Sequence, residues 1–75
     1  AAAATADSML ARTPDHLLAL LVLEADAGRR GREDEVARLQ RRFLAAWDRE
    51  LAAGRPEYAD HREALDDFRA RAAGR

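Results

Sequence analysis

The chain has 75 residues, enough for one domain, and folding at this size buries only roughly 60% of the unfolded surface, so stability is marginal. It has no cysteine, which excludes disulfides and thiolate metal sites as supports and leaves packing to carry the fold. Thirteen basic residues, all arginine, are interleaved with fourteen acids for a net charge of −1, a balance that argues against nucleic acid and membrane surfaces as partners. Alanine, leucine and arginine dominate while Lys, Asn and Ile are missing, the composition of a GC-rich coding sequence and so of a bacterial source.

Residues 1–12 are alanine-rich, and Asp7 or Ser8 can cap a short helix carrying Met9 and Leu10. A segment this short holds its helix in water only when docked, so it reads as a flexible or short helical arm before a module over residues 13–75. Helix A is predicted over 14–28, with Thr13 as N-cap, Pro14 at the first helical position and Asp15 favourably placed in the first turn. Its centre, Leu17 to Leu23 (LLALLVL), has no polar face over two turns and must be covered on several sides at once. That run is too short to cross a bilayer, which takes about 20 apolar residues. Ala25-Asp26-Ala27 imitates a signal-peptide cleavage site, but Glu24 and Asp26 interrupt the stretch and no basic region precedes it. Gly28 and Gly31 both accept the positive φ that closes a helix.

Helix B is predicted over 33–53, acidic at its start (Glu33, Asp34, Glu35), with Val36, Leu39, Phe43, Leu44, Trp47 and Leu51 at the spacings of one helix face. Trp47 belongs in the core, and Gly54 supplies the stop. Helix C, opened by Pro56, is predicted over 56–73, with Tyr58, His61, Leu65, Phe68 and Ala72 inward and Arg62–Asp66 and Asp67–Arg71 spaced for pairing outside. The fold class is therefore all-α: three antiparallel helices plus an optional short amino-terminal one.

Residues that could do chemistry are few. The two histidines, His16 and His61, share no HxxxH or HExxH spacing, so His16 reads as a first-turn polar residue and His61 as a partly buried packing residue. Ser8 is the single serine, in the least ordered-looking stretch, with no Cys or Lys to replace it as nucleophile. Glu24 and Asp26 mark where helix A emerges into solvent or meets an arginine of helix B. Arg29, Arg30, Arg32, Arg38, Arg41 and Arg42 form the one cluster that could bind an anion, and on helix B they read first as charge-balanced decoration.

Two antiparallel helices joined by a glycine turn and followed by an amphipathic helix resemble a tetratricopeptide repeat with its capping helix. Leu20 and Leu23 stand where such a repeat carries large apolar residues, and Gly31 stands where it carries the turn glycine before an acidic start, Asp34-Glu35. Glu24 replaces its usual small residue, Ala27 its first-helix aromatic, Val36 its second-helix alanine, and Gln40 its large packing residue. The tail from Gly54 to Ala73 reads like the solvating helix of a bacterial array. Such arrays need about three units for stability, so the resemblance implies either the end of a longer array or self-association.

These readings lead to a non-enzymatic protein–protein interaction or scaffolding module, with no cofactor or metal, that holds a partner protein or a second copy of itself. The contact residues expected are Met9, Leu18 and Val22, with Arg38, Arg41 and Arg42 as a polar rim. Two other classes stay open: an arginine-rich helix binding nucleic acid or another anion, and an accessory or tethering domain of a larger enzyme.

Overall fold

Gly31 and Gly54 take positive φ, 70° and 68°, and these two residues divide most of the chain. In the computed structural model, described over residues 2–74 and with side chains from Thr5 onward, the elements are α1 (Ala2–Arg12), α2 (Leu17–Arg29), α3 (Glu33–Ala52), α4 (Pro56–Asp60) and α5 (Arg62–Ala73). Ala1 and Arg75, the outer ends of the expected arm and module, lie outside the described residues. The chain is all-helical, with five helices among the described residues where three and an optional fourth were expected. No helical pair recurs along it, so no tetratricopeptide-like repeat is seen there.

The α2–α3 turn is a Schellman motif. Arg32 N–H donates to the Ala27 carbonyl (2.9 Å) and Gly31 N–H to that of Gly28 (3.1 Å), which requires the left-handed residue between them. Gly31 fills that place; Gly28 lies within α2 at ordinary φ with open space where a Cβ would stand. Substitution of the two glycines should therefore have opposite signs. Gly28→Ala is expected to raise the thermal midpoint through a gain of up to about 1 kcal/mol, and Gly31→Ala to lower it by a similar free energy. Equal effects in thermal melts would contradict this turn.

The beginning of α2 departs from the sequence reading. Thr13-Pro14-Asp15 is a turn and not a cap, because His16 N–H donates to the Thr13 carbonyl (3.2 Å) while Asp15 takes φ 63°. Proline second and a left-handed residue third is the pattern of a type II turn, and aspartate tolerates that region better than most residues. The Asp15 carboxylate is held there by Arg42 (Nε 3.1 Å, Nη2 2.9 Å) and Arg49 (3.3 Å) of α3. It therefore anchors α3 instead of serving the first turn of α2.

Helices α2 and α3 run antiparallel, as Asp15 meets Arg49 at one end and Glu24 meets Gln40 further along. Helix α5 runs antiparallel to α3, with Phe43 on Phe68 and Arg62 over Trp47, and closes the triangle against α2. Residues 2–12 form a helix that packs along α2, so the expected arm is ordered structure. The core is Leu17, Leu20, Leu39, Phe43, Leu65 and Phe68, all essentially without solvent exposure, joined by Trp47 and Tyr58.

The predicted continuous helix C is broken at His61, whose φ of −121° and ψ of 24° leave the helical region. The break turns Tyr58 toward the start of α2 while Leu65, Phe68 and Ala72 face α3 and α2. His61 itself is exposed and not a packing residue. Leu44 also departs from expectation: one position from Phe43, it falls at the edge of the α3 stripe and is 37% exposed, the most open large apolar side chain described.

Candidate functional site

His16 is the N-cap of α2 and is buried, contrary to the sequence reading of an ordinary first-turn residue. Its carbonyl accepts from Leu20 N–H (3.0 Å), its Nε2 lies 2.9 Å from Glu57 Oε2, and its ring packs on Tyr58 at 5.1 Å between centroids. No side chain of α2 caps the helix. Instead Leu17 N–H donates to the Tyr58 hydroxyl (2.9 Å), which donates in turn to Glu50 Oε1 (2.7 Å) on α3. Arg55 Nε completes the set at 3.4 Å from the same carboxylate oxygen. One chain of bonds thus ties the beginning of α2, the end of α3 and α4 together, which is what an unsatisfied helix N-terminus in a core requires.

Electrostatics follow from this packing. Burial pushes the Tyr58 phenol up from its ordinary 10.0 to about 12; the Leu17 N–H works against that shift, and the Glu50 carboxylate adds to it. The bond from His16 holds the Glu57 carboxyl below its ordinary value. On the surface of α3, the hydrogen bond from Arg38 lowers Glu35 in the same way. Because the folded state favours the neutral phenol, its contribution to stability is complete below pH 10 and is lost as pH rises toward about 12. Tyr58 is the only tyrosine, so phenolate absorbance should emerge about two units later in the folded chain than in the urea-unfolded one. Coincident titrations would contradict the buried hydroxyl.

A second buried cluster lies along α2. Glu24 is 8% exposed and accepts from Gln40 Nε2 (3.0 Å), with Arg71 Nη2 of α5 at 3.6 Å. The glutamate therefore faces inward, and the arginine that it meets belongs to α5 and not to helix B as expected. Asp26 pairs with Arg29 and Arg30 within its own helix end. His16 Nδ1 and Gln40 Oε1 are buried without a hydrogen-bond partner among the described residues.

Glu24 turns inward beside the apolar residues of α2 that face the core, Leu17, Leu20 and Ala27. The outer side of α2 carries half-buried Leu18 and Val22 and exposed Ala25, with half-buried Leu21 at its edge; Leu18 and Leu21 also pack against the core, and exposed Arg29 is the one charge on this row, at the end of the helix. Surface helices ordinarily place charge on that side and keep the inner side apolar.

The six residues expected to form one contact fall in separate places. Leu18 and Val22 share the outer side of α2. Arg38 and Arg42 line a cleft with Asp7, Leu10 and Leu23, roughly 140° around α2 from Leu18 at 3.6 residues per turn. Arg38 is paired with Glu35 and Arg42 with Asp15, whereas Arg41 is exposed without an ion pair among the described residues. Met9 lines a second cleft, with Arg12, Thr13, His16, Arg55 and Glu57. Sequence reasoning missed the His16–Glu57 and Leu17–Tyr58 links because each joins residues 41 positions apart. Ser8 and His61 are exposed, on α1 and at the α4–α5 break.

No helix among the described residues is long and apolar enough to cross a membrane. Comparison with known protein families, characterised proteins and solved structures finds no match for this chain.

Proposed function

We propose that the chain is a non-enzymatic interaction module, and that the apolar outer side of α2, centred on Leu18 and Val22, is its contact surface. The observation that supports this is the apolar outer side of α2, where Leu18 and Val22 are half-buried, Ala25 is exposed and the only charge on the row is Arg29 at the helix end. A helix so arranged gains by covering its outer side, at about 25 cal/mol for each Å² of apolar surface removed from water. A second copy of the chain is a suitable cover, since an apolar patch of Leu18, Val22 and Ala25 is complementary to itself under two-fold symmetry and a net charge of −1 does not hold copies apart. In this reading α2 and α3 play the part of the hairpin in the tetratricopeptide resemblance, with α5 as the closing helix. The buried carboxylates Glu24 and Glu50 are engaged by Gln40, Arg71, Tyr58 and Arg55, as structural groups are.

The test is Leu18→Glu combined with Val22→Glu. Both side chains are only half-buried, so helix content by circular dichroism should survive. Any association should be lost, because desolvating two carboxylates at an apolar contact costs several kcal/mol. Association at wild-type strength in the double variant would reject the assignment.

A further inference from the structure

The cleft at the α1–α2 corner has no part in the contact surface, and its lining is cationic. It encloses about 250 Å³ between the last turn of α1 and the turn that leads into α4, with Met9, Arg12, Thr13, His16, Arg55 and Glu57 on its walls. Two arginines, Arg12 and Arg55, line it. Arg12 has no ion-pair or hydrogen-bond partner among the described residues, unlike Asp15-bound Arg42 and Arg49 or Glu50-bound Arg55. Arg55 uses only Nε, at 3.4 Å from Glu50, so its two terminal nitrogens keep their N–H groups unbonded by any described residue. Thr13, a residue with a neutral hydroxyl donor, lines the same cleft.

One carboxylate stands in the cleft, that of Glu57, and its Oε2 is occupied by His16 at 2.9 Å. The lining therefore carries two arginines and one carboxylate, the latter already hydrogen-bonded, while Glu50 behind Arg55 offsets part of that arginine's charge and leaves Arg12 as the cation without a partner among the described residues. Planar guanidinium forks match the paired oxygens of a phosphate, and two arginines lining one cleft can serve the same tetrahedral anion. The volume equals some eight waters at about 30 Å³ each, room for such an anion with part of its hydration.

We propose that this cleft binds a small phosphate-class oxyanion, free or as a compact monoester, clasped between Arg12 and Arg55. Binding there ties the end of α1 to the α3–α4 turn, so the ligand stabilises the fold in proportion to its saturation of the site. The proposal is independent of any contact made by Leu18 and Val22.

Calorimetric titration with inorganic phosphate and, separately, with phosphoserine, at constant ionic strength set by chloride, tests it. Saturable binding at one site per chain is expected, with a matching rise in thermal midpoint, and the tighter of the two titrants identifies the source of the oxyanion. Arg12→Gln should weaken binding by about tenfold or more, the equivalent of one charge-assisted hydrogen bond, while Arg41→Gln leaves it unchanged. Because Arg12 has no partner to lose, this variant stays folded and decides the matter even if Arg55→Gln unfolds by freeing Glu50. Unsaturable heats, or equal binding in the Arg12→Gln variant, would overturn the site and leave Arg12 as a cation that merely faces the carboxyl end of α1.

Discussion

Phe43→Ala should leave the chain largely unfolded at room temperature. Phe43 has no solvent exposure, and its ring meets Phe68 of α5 at 4.0 Å and Trp47 of its own helix at 5.3 Å. Truncating a fully buried phenylalanine costs about 3 to 5 kcal/mol, from lost transfer free energy and from the cavity left behind. Domains hold roughly 0.05 to 0.15 kcal/mol per residue, so a chain of 75 residues has little beyond that loss. Trp47 belongs to the same stack, with the Arg69 and Arg62 guanidiniums 5.0 and 5.4 Å from its ring, so its fluorescence reports the event. A red-shifted, readily quenched tryptophan and collapsed far-ultraviolet dichroism are expected. A variant that keeps its urea midpoint within a few tenths molar of wild type would remove Phe43 from the centre of the core.

Tyr58→Phe is expected to have the next largest effect, about 2 to 4 kcal/mol, although the ring and its packing on His16 are kept. Only an oxygen is lost, but it strands the buried Leu17 N–H that it accepts from and leaves the buried Glu50 carboxylate with only the longer bond from Arg55. Each such group left unsatisfied costs about 1 to 3 kcal/mol. Urea denaturation reads the loss, and a double-mutant cycle locates it. Glu50→Leu combined with Tyr58→Phe should destabilise by clearly less than the sum of the single changes, because a paired buried charge is removed along with its partner. Additive free energies would mean that the two side chains do not share a bond.

Where the chain carries its own punctuation, the fold was legible. Gly31, Gly54 and Pro56 bound α2, α3 and α4 in the structure, and the acidic start of α3 is where the charges of Glu33, Asp34 and Glu35 indicated. Local signals with two meanings misled. Thr-Pro-Asp opens a helix or forms a type II turn, and the choice was made by Arg42 and Arg49, 27 and 34 positions away from Asp15. Nothing local marks the break at His61, which lies in a polar run without glycine or proline. Leu44 shows the limit of periodicity: spacing assigns a residue to a stripe, but the width of the covering helix decides whether the edge of that stripe is buried. The inward turn of Glu24 was hidden for the same reason as the burial of His16, because its partners Gln40 and Arg71 come from other helices. The surplus of apolar surface on helix A was visible in LLALLVL, but its restriction to the Leu18–Val22 side needed the packing of α1, α3 and α5.

The central claim, that α2 offers its apolar outer side to a second copy, is tested most directly by solution mass from light scattering over a hundredfold range of concentration. The account predicts a mass that rises from the monomer value of 8.3 kDa toward twice that value as concentration increases, and that stays at 8.3 kDa throughout in the Leu18→Glu, Val22→Glu variant. A wild-type mass fixed at 8.3 kDa across the whole range, or a rise that the double variant reproduces, would contradict it.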